Sequence, residues 1–314
     1  MNTKDKPLNL FWGNIKGHWI TSVRRIPYVD ILIVLVGTLL ALALRYSLRS
    51  FVSQDYSNYL QAWYHVIKKL GFPALGQNFS NYTPPFLYML YVVSKILPSF
   101  STITAVKLPA IICDFICAWF VYRIVRMKYE KGSVPIFAFL AILFAPTVIL
   151  NSAAWAQIES IYTAALVAFL YYVLRKQPWL ACIAFGIAFS IKLQSIYLAP
   201  LLLVLFLKRV VSWKHLLAIP AVYIILIIPA WIAGRPLMEL LTVYAGQVEG
   251  YSGLVHNAPN MYTWLPSDMN AIFYPAGIIF AVSICLIYVA VVLKSRLCMR
   301  FIFQNIFTLH WLPT

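Results

Sequence analysis

The sequence predicts an all-α, polytopic membrane protein with eight to nine transmembrane helices. Three observations carry this. Of its 314 residues, 62% are hydrophobic and 11% charged, with a mean hydropathy of +0.80, whereas soluble domains carry about 25% charged residues. Apolar runs recur along the chain, many near the roughly 20 residues a helix needs to cross a 30 Å hydrocarbon core. Lysines and arginines cluster at the ends of those runs, as the positive-inside rule requires. A water-soluble fold is excluded.

The formal net charge of +16 would point to nucleic acid in a soluble protein, but here the cations occupy the short loops between apolar runs. Residues 1–28 read as a cytoplasmic tail carrying Lys4, Lys6, Lys16, Arg24 and Arg25, with no small-residue cleavage site, so the run at 29–48 is an anchor and residues 29–314 form one transmembrane domain. The five cysteines, Cys113, Cys117, Cys182, Cys285 and Cys298, lie in or beside apolar helices without a Cys-x-x-Cys pair and read as inert packing residues.

Four basic loops mark one side: Arg123 to Lys131, Arg175 with Lys176, Lys208 to Lys214, and Lys294 to Arg300. If these and the tail are cytoplasmic, each interval between them holds an even number of crossings. Runs at 29–48 and 103–122 cross, and the 12-residue run at 86–97, about 18 Å long, does not. It follows Pro84 and Pro85, suited to a first helical turn, and reads as a helix in the outer leaflet. Residues 134–150 go out and 160–174 return. Residues 177–207 fold as a shallow hairpin of two crossings with Lys192 and Gln194 at its apex. Residues 216–233 go out and 271–293 return, leaving external loops at 49–102, 151–159 and 234–270. A ninth run begins at Phe301 and stops at Thr314, so the chain is expected to be truncated at its C-terminus.

On this map the external face collects Asp55, Asp114, Glu159, Glu239, Glu249 and Asp268 of the nine acidic residues, but only Arg45, Arg49, Lys68, Lys69, Lys95, Lys107, Lys192 and Arg235 of the 25 basic ones. Charges this near lipid are expensive and each is a site candidate. Asp55 opens a segment with Leu60, Trp63, Tyr64, Ile67 and Leu70 on one stripe and Gln61, His65, Lys68 and Lys69 on the other, an interfacial helix. Asp55 is then either a functional carboxylate or that helix's N-cap. Glu159 is a site residue or a solvated turn residue at a helix start. Lys192 is a cation for a lipid-linked phosphate or a snorkelling lysine. Asp114, seven residues after Lys107 on nearly the same face, reads as half of a buried structural pair with it. Arg235 and His256 lie in an external loop where they would meet phosphate, sugar or water.

Six segments in order resemble the GT-C superfamily of membrane glycosyltransferases, in particular microbial relatives of the mannosyl- and glucosyltransferases of the GPI and dolichol pathways. They are Asp55-Tyr-Ser-Asn-Tyr with Trp63; Asn81-Tyr82-Thr-Pro84-Pro85-Phe-Leu-Tyr; Lys107-Leu-Pro-Ala-Ile-Ile-Cys-Asp114; Asn151-Ser-Ala-Ala-Trp-Ala-Gln157-Ile-Glu159-Ser-Ile-Tyr162; Ile191-Lys192-Leu-Gln194 with Pro200; and Asn257-Ala-Pro-Asn260-Met-Tyr. The fourth departs from the family pattern Trp-Gly-Gln-x-Asp at Ala156 and Glu159, the family usually has more spans, and its late Met-His-Glu-Arg-Tyr-like segment is absent.

The resemblance implies transfer of a hexose, mannose first, from a polyprenyl-phosphate sugar to a lipid, glycan or other acceptor on the extracytoplasmic face, with inversion. Asp55 would be the base, supported by Glu159, with Lys192, Gln194, Arg235, Gln157, Tyr82, His256, Asn257 and Asn260 around the donor phosphate and sugar. No cluster has metal-ligand spacing and no cofactor is expected, though the sequence leaves a divalent metal open. The expected partners are the donor, the acceptor and the bilayer, and the expected location is a bacterial plasma membrane rather than the endoplasmic reticulum. The competing class is a transporter or flippase, which would gather its polar residues near the midplane rather than on one face.

Overall fold

A computed structural model describes residues 28–249, 261–264 and 270–294. It divides into two compact units, residues 32–252 and residues 1–31 with 253–314. The regular structure of the described residues is all helical, without a strand. In order they form α1 (Tyr28–Ser47), α2 (Gln61–Leu70), α3 (Pro84–Ile96), α4 (Thr102–Arg126), α5 (Val134–Phe144), α6 (Glu159–Leu174), α7 (Pro178–Ile191), α8 (Ala199–Leu207), α9 (Ala218–Ile232), α10 (Leu237–Glu249) and α11 (Asn270–Lys294).

Side-chain contacts fix the directions of the helices in the larger unit. Arg45 meets Asp114 and Lys107 meets the carbonyls that follow α1, so α1 and α4 are antiparallel. Asp114 meets Ser160 and Arg123 meets Tyr171, so α4 and α6 are parallel. Trp179 packs on His215 and Phe189 on Tyr223, so α7 and α9 are parallel. The chain between α7 and α9 therefore runs back. It reverses at Lys192, whose backbone is extended, passes through a 3₁₀ segment at Leu193–Leu198 and enters α8.

Among the described residues four helices are long and apolar enough to cross a membrane: Tyr28–Ser47, Thr102–Arg126, Trp213–Ile232 and Ile272–Lys294. Large apolar side chains on them lie open, including Leu32, Leu35 and Leu39 on α1, the surface that hydrocarbon would cover. The run at 134–150 is not one straight helix. It breaks at Ala145 and bends by 46° before Pro146, because a proline excludes its predecessor from the helical region and withdraws a donor. Glu159–Leu174, Pro178–Ile191 and Leu193–Leu207 are shorter apolar helices, so the expected count of eight to nine rests on these crossing as well.

The loop after α1 holds the expected helix pair. Trp63, Tyr64 and Ile67 of α2 are buried, and so are Phe86, Leu87 and Leu90 of α3. Leu70, placed by sequence on the apolar stripe, is instead 40% exposed. The pair packs with Val106 and Ala110 of α4, Ile158 and Ile161 around the start of α6, and Ile191 at the end of α7. This core draws Asp55, Glu159 and Lys192 to one place. Gly76 closes the arrangement from the side: a Cβ there would lie 2.0 Å from the carbonyl oxygen of Ala233, beyond the end of α9.

Residues 234–270, read as an external polar loop, contain α10. Leu240 is fully buried against Ile227 and Ala230 of α9, and Tyr223 donates to the Leu240 carbonyl at 2.7 Å.

Candidate active site

Two interruptions of regular helix carry the site. Tyr56–Leu60, directly after Asp55, and Leu150–Ala154, directly before Trp155, are π-helical turns, a feature common at functional positions. Asp55 already has helical backbone angles and its side chain does not cap the helix. Ser53 takes that place, accepting from the Tyr56 amide at 3.2 Å. The Asp55 carboxylate is thereby free of the N-cap role, and the Gln157 side-chain amide donates to it. Ser53 also donates to the Trp155 carbonyl at 2.7 Å, tying the Asp55 segment to the turn that carries Gln157.

That turn is held in an uncommon conformation. Ala156 has φ of +62° and is buried, in the left-handed region where glycine is favoured. Ala156 meets this backbone demand at the position where the resembling motif carries glycine.

Glu159 begins α6 at the end of that turn. Lys192 donates to its carboxylate as an ion pair, and Asn151 donates to the other oxygen at 2.8 Å. Burial pushes the Glu159 carboxyl up, but the Lys192 ammonium and the hydrogen bonds outweigh it and hold its pKa below the ordinary value. Glu159 is therefore neither a bare solvated turn residue nor an isolated acid, and Lys192 does not snorkel alone.

Tyr82 joins the two halves. Its hydroxyl donates to Gln157 at 3.4 Å, and its ring centroid lies 6.0 Å from the Lys192 ammonium, with Tyr162 at 5.9 Å, near the outer limit for a cation–π contact. Thr83, one residue on, donates to the Ile191 carbonyl at 2.8 Å, which ties this strand of loop to the residue before Lys192. Asp55, Gln157, Tyr82, Lys192, Glu159 and Asn151 thus form one continuous polar chain drawn from four separate segments.

Other sequence candidates fall elsewhere. Gln194 is exposed on the 3₁₀ segment. Arg235 is 3% exposed and enclosed: it donates to Asn78 at 2.9 Å and lies 3.7 Å from Glu239. Burial draws its pKa down while Glu239 pushes it up. It bolts α10 to the loop after α1, with Gln247 of α10 donating to the Asn81 carbonyl alongside. His256, Asn257, Asn260 and Asp268 lie outside the described residues. Among the described residues no three His, Cys, Asp or Glu side chains gather as a metal site would need.

The expected Lys107–Asp114 pair is corrected. Lys107 donates to the carbonyls of Leu48 and Phe51 at 3.0 and 2.8 Å, capping the end of α1 and the segment leading to Asp55. Asp114 instead pairs with Arg45 at 2.9 Å and accepts from Ser152 at 2.6 Å and from Ser160. Seven residues are two helical turns, about 10 Å of rise, and nearer partners take both charges: carbonyls just after α1 for Lys107, and Arg45, Ser152 and Ser160 for Asp114. Sequence reasoning missed this use of Arg45, although a lone arginine in the last turn of an apolar span is itself a signal of a buried partner.

The residues Asp114 grips are neighbours of the site: Ser152 follows Asn151, and Ser160 follows Glu159. Comparison with known proteins gives no match to a curated protein and none to a solved structure. The family model of glycosyltransferase family 87 matches residues 81–305, a range that begins after Asp55 and takes in Tyr82, Gln157, Glu159 and Lys192. With most of its length covered by that match, the chain belongs to glycosyltransferase family 87, a membrane glycosyltransferase family of the GT-C type.

Proposed function

We propose that this glycosyltransferase moves a hexose, mannose first, from a polyprenyl-phosphate sugar to a lipid, glycan or other acceptor on the extracytoplasmic face, with inversion at the anomeric carbon. The observation that carries the reading is a carboxylate and a cation brought together across a single polar chain: Asp55 held by Gln157, and Lys192 held by Glu159, with Tyr82 between them.

The chemistry assigns each group. An acceptor hydroxyl loses its proton to the Asp55 carboxylate while its oxygen attacks the anomeric carbon, and the bond to the phosphate oxygen breaks. Positioned proton transfer of this kind is worth about 10²- to 10⁴-fold. One displacement inverts the centre. The leaving phosphate is already anionic and needs a cation rather than an acid, which Lys192 supplies. Glu159 and Asn151 place that cation, and Gln157 places the Asp55 carboxylate. Arg235, enclosed against Asn78 and Glu239, is left with packing rather than donor contact.

The test is transfer in membrane vesicles of known orientation, offered labelled polyprenyl-phosphate-mannose, polyprenyl-phosphate-glucose or a soluble nucleotide sugar. Transfer from a polyprenyl-phosphate sugar alone, with product on the extracytoplasmic side, is expected. Transfer from the nucleotide sugar, or product on the cytoplasmic side, would sink the proposal.

A further inference from the structure

Between Asp55 and Asp114 the sequence contains no acidic residue, yet it contains Lys68, Lys69, Lys95 and Lys107. Lys107 is buried on backbone carbonyls; the other three are exposed. They come together at the shared end of the helix pair. Lys68 and Lys69 occupy the last turn of α2, and Lys95 the last turn of α3. Lys68 donates to the Pro98 carbonyl at 3.1 Å, just past α3. The Lys95 ammonium lies 3.5 Å from where a Cβ on Gly71 would stand, and Gly71 itself holds φ of +69° directly after α2.

Helix-end dipoles favour a cation at each of these termini, and the Pro98 carbonyl accounts for Lys68. They do not account for three ammonium groups gathered with no carboxylate paired to them among the described residues, Lys95 meeting only the edge of cation–π range at the Tyr91 ring, 5.7 Å away. The surroundings are also apolar and open: Leu70, Phe72, Val92, Ile96 and Phe100 are all exposed, Ile96 by 70%. Trp63, Tyr64 and Ile67 already bury the other face of α2 in the core, so this edge faces outward from the protein.

Cations above an exposed apolar rim match an amphiphile whose anionic head meets the ammonium groups while its chains cover the rim. A soluble anion would satisfy the charges and leave the apolar side chains bare. We propose that Lys68, Lys69 and Lys95 form a binding site for the headgroup of an anionic phospholipid, with its acyl chains along Leu70, Phe72, Val92 and Ile96, at the end of the helix pair remote from Asp55.

The full chain is placed in phosphatidylcholine vesicles containing phosphatidylglycerol with a photoreactive acyl chain, and cross-linked peptides are mapped by mass spectrometry. Labelling is expected to concentrate between residues 70 and 100, and to be weak there when the photoreactive lipid is phosphatidylcholine. At about 1 kcal/mol per lysine near an anionic headgroup, K68Q/K69Q/K95Q should lower that labelling about 100-fold. The charge-preserving K68R/K69R/K95R should retain it, which separates loss of charge from loss of fold. Equal labelling by the two lipids, undiminished labelling of the glutamine variant, or loss of labelling in the arginine variant would overturn the site. So would displacement of phosphatidylglycerol by substoichiometric polyprenyl phosphate, which would make the patch a donor port. Labelling is read without sugar transfer, so this result and the fate of the proposed reaction are independent.

Discussion

Removing the Asp114 carboxylate should cost more than any other single change near the site. In Asp114→Ala, the ion pair with Arg45 at 2.9 Å and the hydrogen bonds from Ser152 and Ser160 are all lost. Arg45 and Asp114 are 2% and 0% exposed, so the arginine is left as a buried charge facing the carbonyls of Ala41 and Leu143 and the Phe115 ring, with no carboxylate. Breaking one side of such a pair costs about 3–5 kcal/mol. Ser152→Ala alone, removing one hydrogen bond to a charged acceptor, should cost about 1.5–3 kcal/mol. The double variant Arg45→Met/Asp114→Leu removes both charges and their desolvation together, so it should lose less than the two single variants summed, by about 2 kcal/mol or more. Reversible unfolding in mixed micelles with increasing SDS, followed by tryptophan fluorescence, measures wild type, Asp114→Ala, Ser152→Ala, the single variants Arg45→Met and Asp114→Leu, and their double variant. A loss below 1 kcal/mol in Asp114→Ala, or strictly additive losses in the double variant, would refute a coupled buried pair.

Three further predictions concern the turn and its supports. Gln157→Leu should lower transfer about 10- to 100-fold through loss of a hydrogen bond to a charged group, with unfolding free energy changed by less than about 1 kcal/mol; unchanged turnover would remove Gln157 from the site. Gly76→Ala should destabilise the chain by about 1–3 kcal/mol, because the new Cβ at 2.0 Å from the Ala233 carbonyl oxygen forces two backbones apart; an unchanged SDS midpoint would contradict the close approach. The depressed pKa of Glu159 gives a pH dependence of defined sign: its contribution to stability is complete above the ordinary value of 4.5 and is lost as pH falls through the folded-state value. Wild-type stability should thus fall more steeply than that of Glu159→Gln below pH 4.5, and parallel curves would show that Glu159 is not held ionised by Lys192.

Much of the fold is visible in the sequence because a bilayer imposes one dimension on every run. The apolar stretches, the proline-led helix at Pro84 and the amphipathic stripe of Trp63, Tyr64 and Ile67 all follow from periodicity and length. The bend at Pro146 has an equally plain signal that run length alone overrides. Helix α10 is harder to see, since Leu240 and Tyr244 supply its docking contacts within a stretch whose average is polar.

Within the site, Asp55, Gln157, Glu159, Lys192 and Tyr82 come from motif order, and their convergence comes from a core no local pattern describes. The one mispairing has a physical cause. Spacing along a helix identifies residues on one face but not which neighbouring segment supplies the partner, so Lys107 and Asp114 read as a pair by sequence although Leu48, Phe51 and Arg45 lie closer. Arg235, a loop residue by sequence, lies enclosed between Asn78 and Glu239, which only the packing of α10 reveals.

The most direct test of Asp55 as the base is sugar transfer by wild type, Asp55→Asn and Asp55→Glu, measured in membranes with equal amounts of folded protein and saturating polyprenyl-phosphate-mannose. Asparagine keeps the shape and can still meet Gln157, but it accepts no proton, so transfer should fall by about 10²- to 10⁴-fold while Asp55→Glu keeps measurable activity. Transfer by Asp55→Asn at the wild-type rate would contradict the assignment.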